Sequence, residues 1–249
     1  MTDELFLSVV IPAYNEEERL KKHLPGIVNY LQSRNQRFEI VVANDGSQDG
    51  TVRVTEEFSK TYPMVRLVDL QPNRGKGGAV KAGMLAARGR YVLFTDADQS
   101  TPITEVDKLL TKVEREGYEI AIGSRAVSGA EVEQPQAWYR ALAGLLFGVA
   151  THTLAIRGIQ DTQCGFKLMT RQAAQNIFPQ VTSVSAIFDI EMLVVATREG
   201  YRIAELPVKW VHDPDTRIPY NLRRALRIWA ELFRICRAQR VKWPVRAKT

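Results

Sequence analysis

Residues 90–101 read RYVLFTDADQST. Tyr91 to Thr95 form an apolar run, rich in aromatic and β-branched side chains, that ends abruptly in Asp96 and Asp98 with only Ala97 between them. That is the build of a buried strand delivering two carboxylates at its end. The same build recurs on both sides of it, in LFLSVVIP (5–12), FEIVVA (38–43), VRLVDL (65–70) and YEIAIGS (118–124). Between these runs helices are expected near 16–33, 50–61, 77–88 and 102–116. Asn15 before Glu16, Glu17 and Glu18, Asp49 before Gly50 and Thr51, and Thr101 before Pro102 mark three of their starts. Strand and helix in alternation predict an α/β fold, a mixed but mostly parallel sheet flanked by helices. From about residue 126 the pattern changes. An irregular loop is followed by an apolar segment, Trp138 to Ile156, then QDTQCGFKL (160–168), a helix near 189–199, a strand near 202–211 and a basic C-terminal helix.

The chain has 249 residues, 45% of them hydrophobic, enough for one substantial core, and a single domain over 1–249 is expected. Its formal charge of +6 is unevenly spread. Arg217 to Thr249 hold ten Lys/Arg against one acid, Glu231. Taken from the totals of 34 and 28, these leave 24 basic and 27 acidic side chains, a net of −3, for residues 1–216. Basicity is therefore a property of the C-terminal segment alone. An acidic body with no aromatic and basic binding motif argues against nucleic acid as a partner. Cys164 and Cys236 lie far apart and outside any metal spacing, and His23, His152 and His212 show no ligand spacing either. The N-terminus, MTDEL, has neither a basic nor an apolar leader region, and no run reaches the roughly 18 apolar residues of a spanning helix. A cytoplasmic protein is expected.

Open parallel sheets bind ligands beyond the carboxyl ends of their strands, so the residues following each apolar run are the ones to question. The first strand ends in IPAYNEE, where Pro12 is expected to stop ladder pairing. Pro12, Ala13 and Glu16 suit the lining of a nucleobase, with Tyr14 offering a ring edge, although the acids equally suit a helix start. The second ends in ANDGSQDGT, where Asp45 suits an imide N–H or a turn. The third leads to QPNRGKGGAVKAG. Its Gly75, Gly77 and Gly78 expose backbone N–H groups at a helix start, and Arg74 and Lys76 add positive charge, an arrangement suited to a diphosphate. No GK[ST] closes it as in a Walker A loop, and Val80 stands where a dinucleotide fingerprint needs its third glycine. Asp96 and Asp98, near that loop, are the hard carboxylates that Mg²⁺ or Mn²⁺ takes while keeping waters and bridging to phosphates.

The ordered set IPAYNEE, NDGSQDGT, NRGKGGAV, DAD, IGSR and DTQCGFKL resembles glycosyltransferase family 2, and within it the dolichyl-phosphate β-glucosyltransferases. The resemblance implies a GT-A fold and an inverting, metal-dependent transfer of glucose from UDP-glucose to dolichyl or polyprenyl phosphate. Residues 1–125 would bind the nucleotide sugar, 126–215 the acceptor, and 216–249 would form a basic amphipathic segment. It places Pro12, Ala13, Glu16 and Asp45 at the uridine, Asp96, Ala97 and Asp98 in the DxD motif of metal and ribose-diphosphate binding, and Gly75 and Lys76 in the glycine-rich element. One departure stands out: Asn44 occupies the first position of the family's usual DDGS. Polyprenyl-phosphate mannosyltransferases, which use GDP-mannose, resemble the chain less at GKGGAV and CGFK.

An anionic acceptor would meet Arg125, at the end of IGSR, with Arg140 or Lys167. A lipid phosphate attacks already ionised; a hydroxyl acceptor would need a base, and Asp189 is the first candidate before Glu191, which equally suits a pair with Arg198 or Lys209. A nucleotide-sugar-binding membrane adaptor is the non-enzymatic alternative. Leu222, Ala225, Leu226, Trp229, Leu232, Phe233 and Cys236 follow helical spacing opposite Arg223, Arg224, Arg227 and Arg234. That stripe suits either an anionic membrane interface or the core. Ala141 to Ile156 is too short to span and suits an interfacial or acceptor-covering helix. A peripheral position on the cytosolic membrane face follows.

Overall fold

The computed structural model describes residues 5–133, 156–213, 229–235, 237 and 245–246. Its first half is the expected alternation: β1 (Leu7–Ala13), α1 (Glu17–Ser33), β2 (Phe38–Asp45), α2 (Thr51–Thr61), β3 (Val65–Leu70), α3 (Lys76–Ala86), β4 (Tyr91–Thr95), α4 (Val106–Arg115) and β5 (Ile120–Ser124). Then come the short β6 (Glu131–Glu133) and β7 (Ile156–Arg157), β8 (Phe166–Thr170), α5 (Arg171–Ile177), α6 (Phe188–Arg198), β9 (Ile203–Pro207), β10 (Lys209–Val211) and β11 (Val245–Arg246).

Seven strands form one sheet in the order β3-β2-β1-β4-β8-β5-β9. Strand β8 runs antiparallel to both β4 and β5, and the other pairings are parallel. The chain moves outward from β1 to β3 and then returns to place β4 on the other flank of β1, so the strand order reverses between β1 and β4. A crevice opens at such a point on the carboxyl side. Because β8 runs the other way, its amino end, with Gly165, reaches this same edge.

Alternate residues of the strands enter two cores. Val10, Val92 and Phe94 face α3, α5 and α6, whereas Val9, Ile11 and Leu93 face α1 and α4. Helix α6 is buried on all sides, consistent with its FDIEMLVVAT sequence.

Three local expectations are corrected. Pro12 does not end β1: it pairs in register with Ala43, and pairing to β4 has already stopped at Val10, leaving the one-sided position where a strand tolerates proline. Asn15, expected to start α1, accepts the backbone N–H of Gln48 at 2.8 Å, while Asp49 accepts those of Thr51 and Glu17, so the turns before α1 and α2 cap one another. In the C-terminal stripe, residues 229–235 are helical and Leu232 is buried with Ile235, but Phe233 is 54% exposed. The apolar face is therefore turned toward the core through Ile235, with Trp229 packed against it. The remainder of that stripe lies outside the described residues. Among the described residues no helix is long and apolar enough to cross a membrane.

Candidate active site

Asp96 and Asp98 leave β4 at the crevice. Asp96 stands where it does because residue 165 is glycine: a Cβ there would lie 2.0 Å from Asp96 Oδ2. Lys76 Nζ approaches Asp96 Oδ1 at 2.7 Å and lies 5.6 Å from the centre of the Phe94 ring. Burial works against the Lys76 ammonium, but Asp96, Asp189 and Asp98 outweigh it and raise its pKa. The Asp98 carboxyl is pushed up, first by burial and then by the like charge of Asp96, although its Oδ1 accepts the Ser100 N–H at 2.9 Å. Arg19, paired with Glu16 at 3.0 Å and Asp213 at 2.7 Å, partly offsets that rise.

Pro12 and Ala13, the last two residues of β1, pair with Ala43 and Asn44 of β2, and Tyr14 beyond them is 46% exposed. Asp45 is buried and ties β2 to the glycine-rich turn: its Oδ1 accepts the Arg74 N–H at 2.6 Å, and its backbone carbonyl accepts from Asn73 Nδ2 at 2.8 Å. Asn44 has a reason to be an amide here, because its Nδ2 donates to Asp69 Oδ1 at 2.6 Å, where a second carboxylate would repel.

The glycines of the turn do something the sequence did not disclose. Gly75, at φ 82°, would place a Cβ 2.4 Å from the Val184 carbonyl oxygen, and Gly77 would place one 2.4 Å from that of Ser183. The turn is pressed against residues 183–185. Two N–H groups expected to face a diphosphate already have acceptors, Asn73 Oδ1 for Gly75 and the Val184 carbonyl for Gly77. Lys76 is left as the charged group of the turn that reaches the carboxylates.

On the other flank, Arg125 forks onto Asp161, Nε to Oδ2 at 2.7 Å and a terminal nitrogen to Oδ1 at 2.9 Å. Its guanidinium carbon also lies 5.5 Å from the Trp210 ring centre. Burial opposes ionisation of Asp161, yet Arg125 holds its carboxyl below the ordinary value. Lys167, expected to meet an acceptor, is instead fully buried; its Nζ donates to Asp189 Oδ1 and to the Cys164 carbonyl, both at 2.5 Å. Asp189 is 3% exposed, and burial raises its pKa against the pull of Lys167 and Lys76. Glu191 accepts from Thr182 and Ser183, while Lys209 pairs with Glu133 and Arg198 with Glu199. Arg140 lies outside the described residues, as does Ala141 to Ile156 except Ile156 itself. Sequence reasoning missed Gly165, Asp161 and residues 183–185. The first two were inside a string singled out as unusual, but nothing local marks their partners.

The architecture is that of the GT-A glycosyltransferases. Over 93% of its length the chain superposes on glucosyl-3-phosphoglycerate synthase from Mycobacterium tuberculosis in complex with UDP, at TM-score 0.66 and 18% identity, covering 80% of that chain. The sequence profile described as "Glycosyl transferase family 2" matches residues 8–178, and the chain belongs to that family. It is 38% identical over 230 residues to a dolichyl-phosphate beta-glucosyltransferase of Saccharomyces cerevisiae, covering 86% of this chain and 69% of the relative. It is likewise 38% identical over 216 residues to one of Homo sapiens, covering 82% and 67%. The protein is a glycosyltransferase.

Proposed function

We propose that this enzyme transfers glucose, with inversion, from UDP-glucose to dolichyl or another polyprenyl phosphate, and that it works at the cytosolic face of a membrane with Mg²⁺ or Mn²⁺. The observation that carries the reading is the pair Asp96 and Asp98 beside Lys76 at the strand-order reversal, in a chain similar over most of its length to relatives named for that reaction. Two adjacent carboxylates, with Asp98 raised first by burial and then by Asp96, are a hard-oxygen donor set suited to a divalent cation. Among the described residues no group of three His, Cys, Asp or Glu surrounds a metal position, so diphosphate oxygens and water would complete the shell. The ion would neutralise charge developing on the departing UDP.

The chain's own groups divide the remaining work. Asp45 accepts from the uracil imide, with Pro12 and Ala13 as the wall of the base site and Tyr14 and Glu16 at its rim. Lys76 supplies fixed positive charge at the diphosphate, where stabilising the leaving group lowers the barrier most. Arg125, held by Asp161, presents its guanidinium to the acceptor phosphate. A phosphate monoester is already ionised near neutral pH and requires no base, which agrees with an Asp189 that is buried and engaged by Lys167.

The test is mass spectrometry of the lipid product after incubation with Mg²⁺, polyprenyl phosphate and equimolar UDP-glucose, UDP-N-acetylglucosamine and GDP-mannose. A hexosyl-phosphoprenol formed with release of UDP is expected. A GDP-dependent product would transfer the assignment to mannose, and nucleotide hydrolysis without a lipid product would remove the lipid acceptor.

A further inference from the structure

Glu231 is the one acid in the basic segment from Arg217 to Thr249, and the structure gives it a specific place. From the helical residues 229–235, seated on the core by Leu232 and Ile235, its carboxylate accepts the Ser183 hydroxyl at Oε1 (2.6 Å) and the Ser185 hydroxyl at Oε2 (2.8 Å). Between these serines lies Val184, 53% exposed, whose carbonyl accepts the Gly77 N–H at 3.0 Å and leaves no room for a side chain at Gly75. Two hydroxyls held on one carboxylate fix the direction of the residue between them. Glu191 of α6 grips the same segment from beneath, accepting the N–H groups of Thr182 and Ser183 at 2.9 and 2.6 Å. The segment in turn backs the turn that carries Lys76 to Asp96.

We propose that Glu231 is a positioning residue for the donor site: through Ser183, Val184 and Ser185 it sets the glycine-rich turn against the diphosphate, linking the C-terminal basic segment to donor binding. This rests on the reading of that turn as the diphosphate site. Aspartate is too short to meet both hydroxyls from the same helix position. Glutamine keeps the length but can accept at only one end, so its effect is expected to be intermediate.

Titration calorimetry of UDP in the presence of Mg²⁺ tests this on the whole chain, with donor and lipid kinetics alongside. Wild type should bind UDP, Glu231→Ala should weaken that affinity about ten-fold, and Glu231→Gln should fall between. The donor KM should rise in step, with kcat and the lipid KM unchanged. A lowered melting temperature with unchanged UDP affinity would reduce Glu231 to a purely structural contact and overturn the proposal, as would equal affinity in all three proteins; both leave the donor site standing. Failure of wild type to bind UDP would remove the donor site and this inference together. If Glu231→Ala does not fold, Glu231→Gln alone decides by the same comparison.

Discussion

A methyl group at position 165 would fall 2.0 Å from Asp96 Oδ2, far inside van der Waals contact. The obstructing atom belongs to a short, tethered carboxylate, so relief requires moving Asp96 away from Lys76 or shifting the start of β8. Gly165→Ala is therefore expected to lower turnover about a hundred-fold, the scale on which ångström misplacement acts, while the circular dichroism spectrum stays native. Activity within a few-fold of wild type would show that Asp96 has freedom the packing does not suggest. The residue was visible within DTQCGFKL, but its purpose was not, because Asp96 belongs to a different strand and only the antiparallel insertion of β8 brings them together. Asn44 is similar. As a departure from DDGS it stood out with no local cause, and its reason is Asp69 on the neighbouring strand. The places of Asp45, Asp96 and Asp98 at or just beyond strand ends, and of Lys76 at a helix start, were legible in the sequence; contacts with a partner remote in the chain were not, as for Arg125 with Asp161 and Lys167 with Asp189.

The elements were more legible than their junctions. Apolar runs located β1 to β5, and helical starts were correct to within a residue or so for α1, α2 and α3, since period and composition are local properties. The reciprocal caps of α1 and α2 were not visible, because each turn's partner lies on the other turn. Glu39 makes a stronger junction at the amino edge of the sheet. Buried on β2, it accepts from Ser8 of β1 at 2.6 Å, Arg66 of β3 at 2.7 Å and the Arg88 N–H ahead of β4 at 2.7 Å, joining four segments at one carboxylate. Burial opposes its ionisation, but Arg66, Ser8 and the Arg88 N–H prevail and hold its pKa below the ordinary value. A depressed carboxylate stabilises the fold fully above its unfolded pKa, and that contribution is lost as pH falls through the folded value. Glu39→Gln should thus cost about 2 kcal/mol at neutral pH, with the gap from wild type narrowing in acid. Urea denaturation at several pH values reads this directly, and a gap independent of pH would mean that shape and not charge holds the junction.

At the scale of the molecule, charge separates along the chain: residues 1–216 carry a net of −3 while the rest carry nine positive charges in excess. Helical residues 229–235 seat part of that basic segment on the core, so the apolar stripe is not wholly available to a lipid phase. Phe233, exposed beside them, leaves an apolar side chain for an interface. If the acceptor is a lipid phosphate, the enzyme must reach a surface that is itself anionic, and an acidic body alone would be repelled from it. Each Lys or Arg near such a surface contributes about 1 kcal/mol, and the attraction fades within a Debye length of about 8 Å at physiological salt. The protein is therefore expected to co-sediment with vesicles containing anionic lipid and to be released by raised salt, with little binding to neutral vesicles. Replacing Arg223, Arg224 and Arg227 together by alanine should weaken that binding on the order of a hundred-fold. Turnover of a short-chain, water-soluble prenyl phosphate should be preserved. Binding that ignores salt would assign attachment to apolar insertion instead, and equal loss of activity on the short-chain substrate would place those arginines at the acceptor phosphate and not at the membrane.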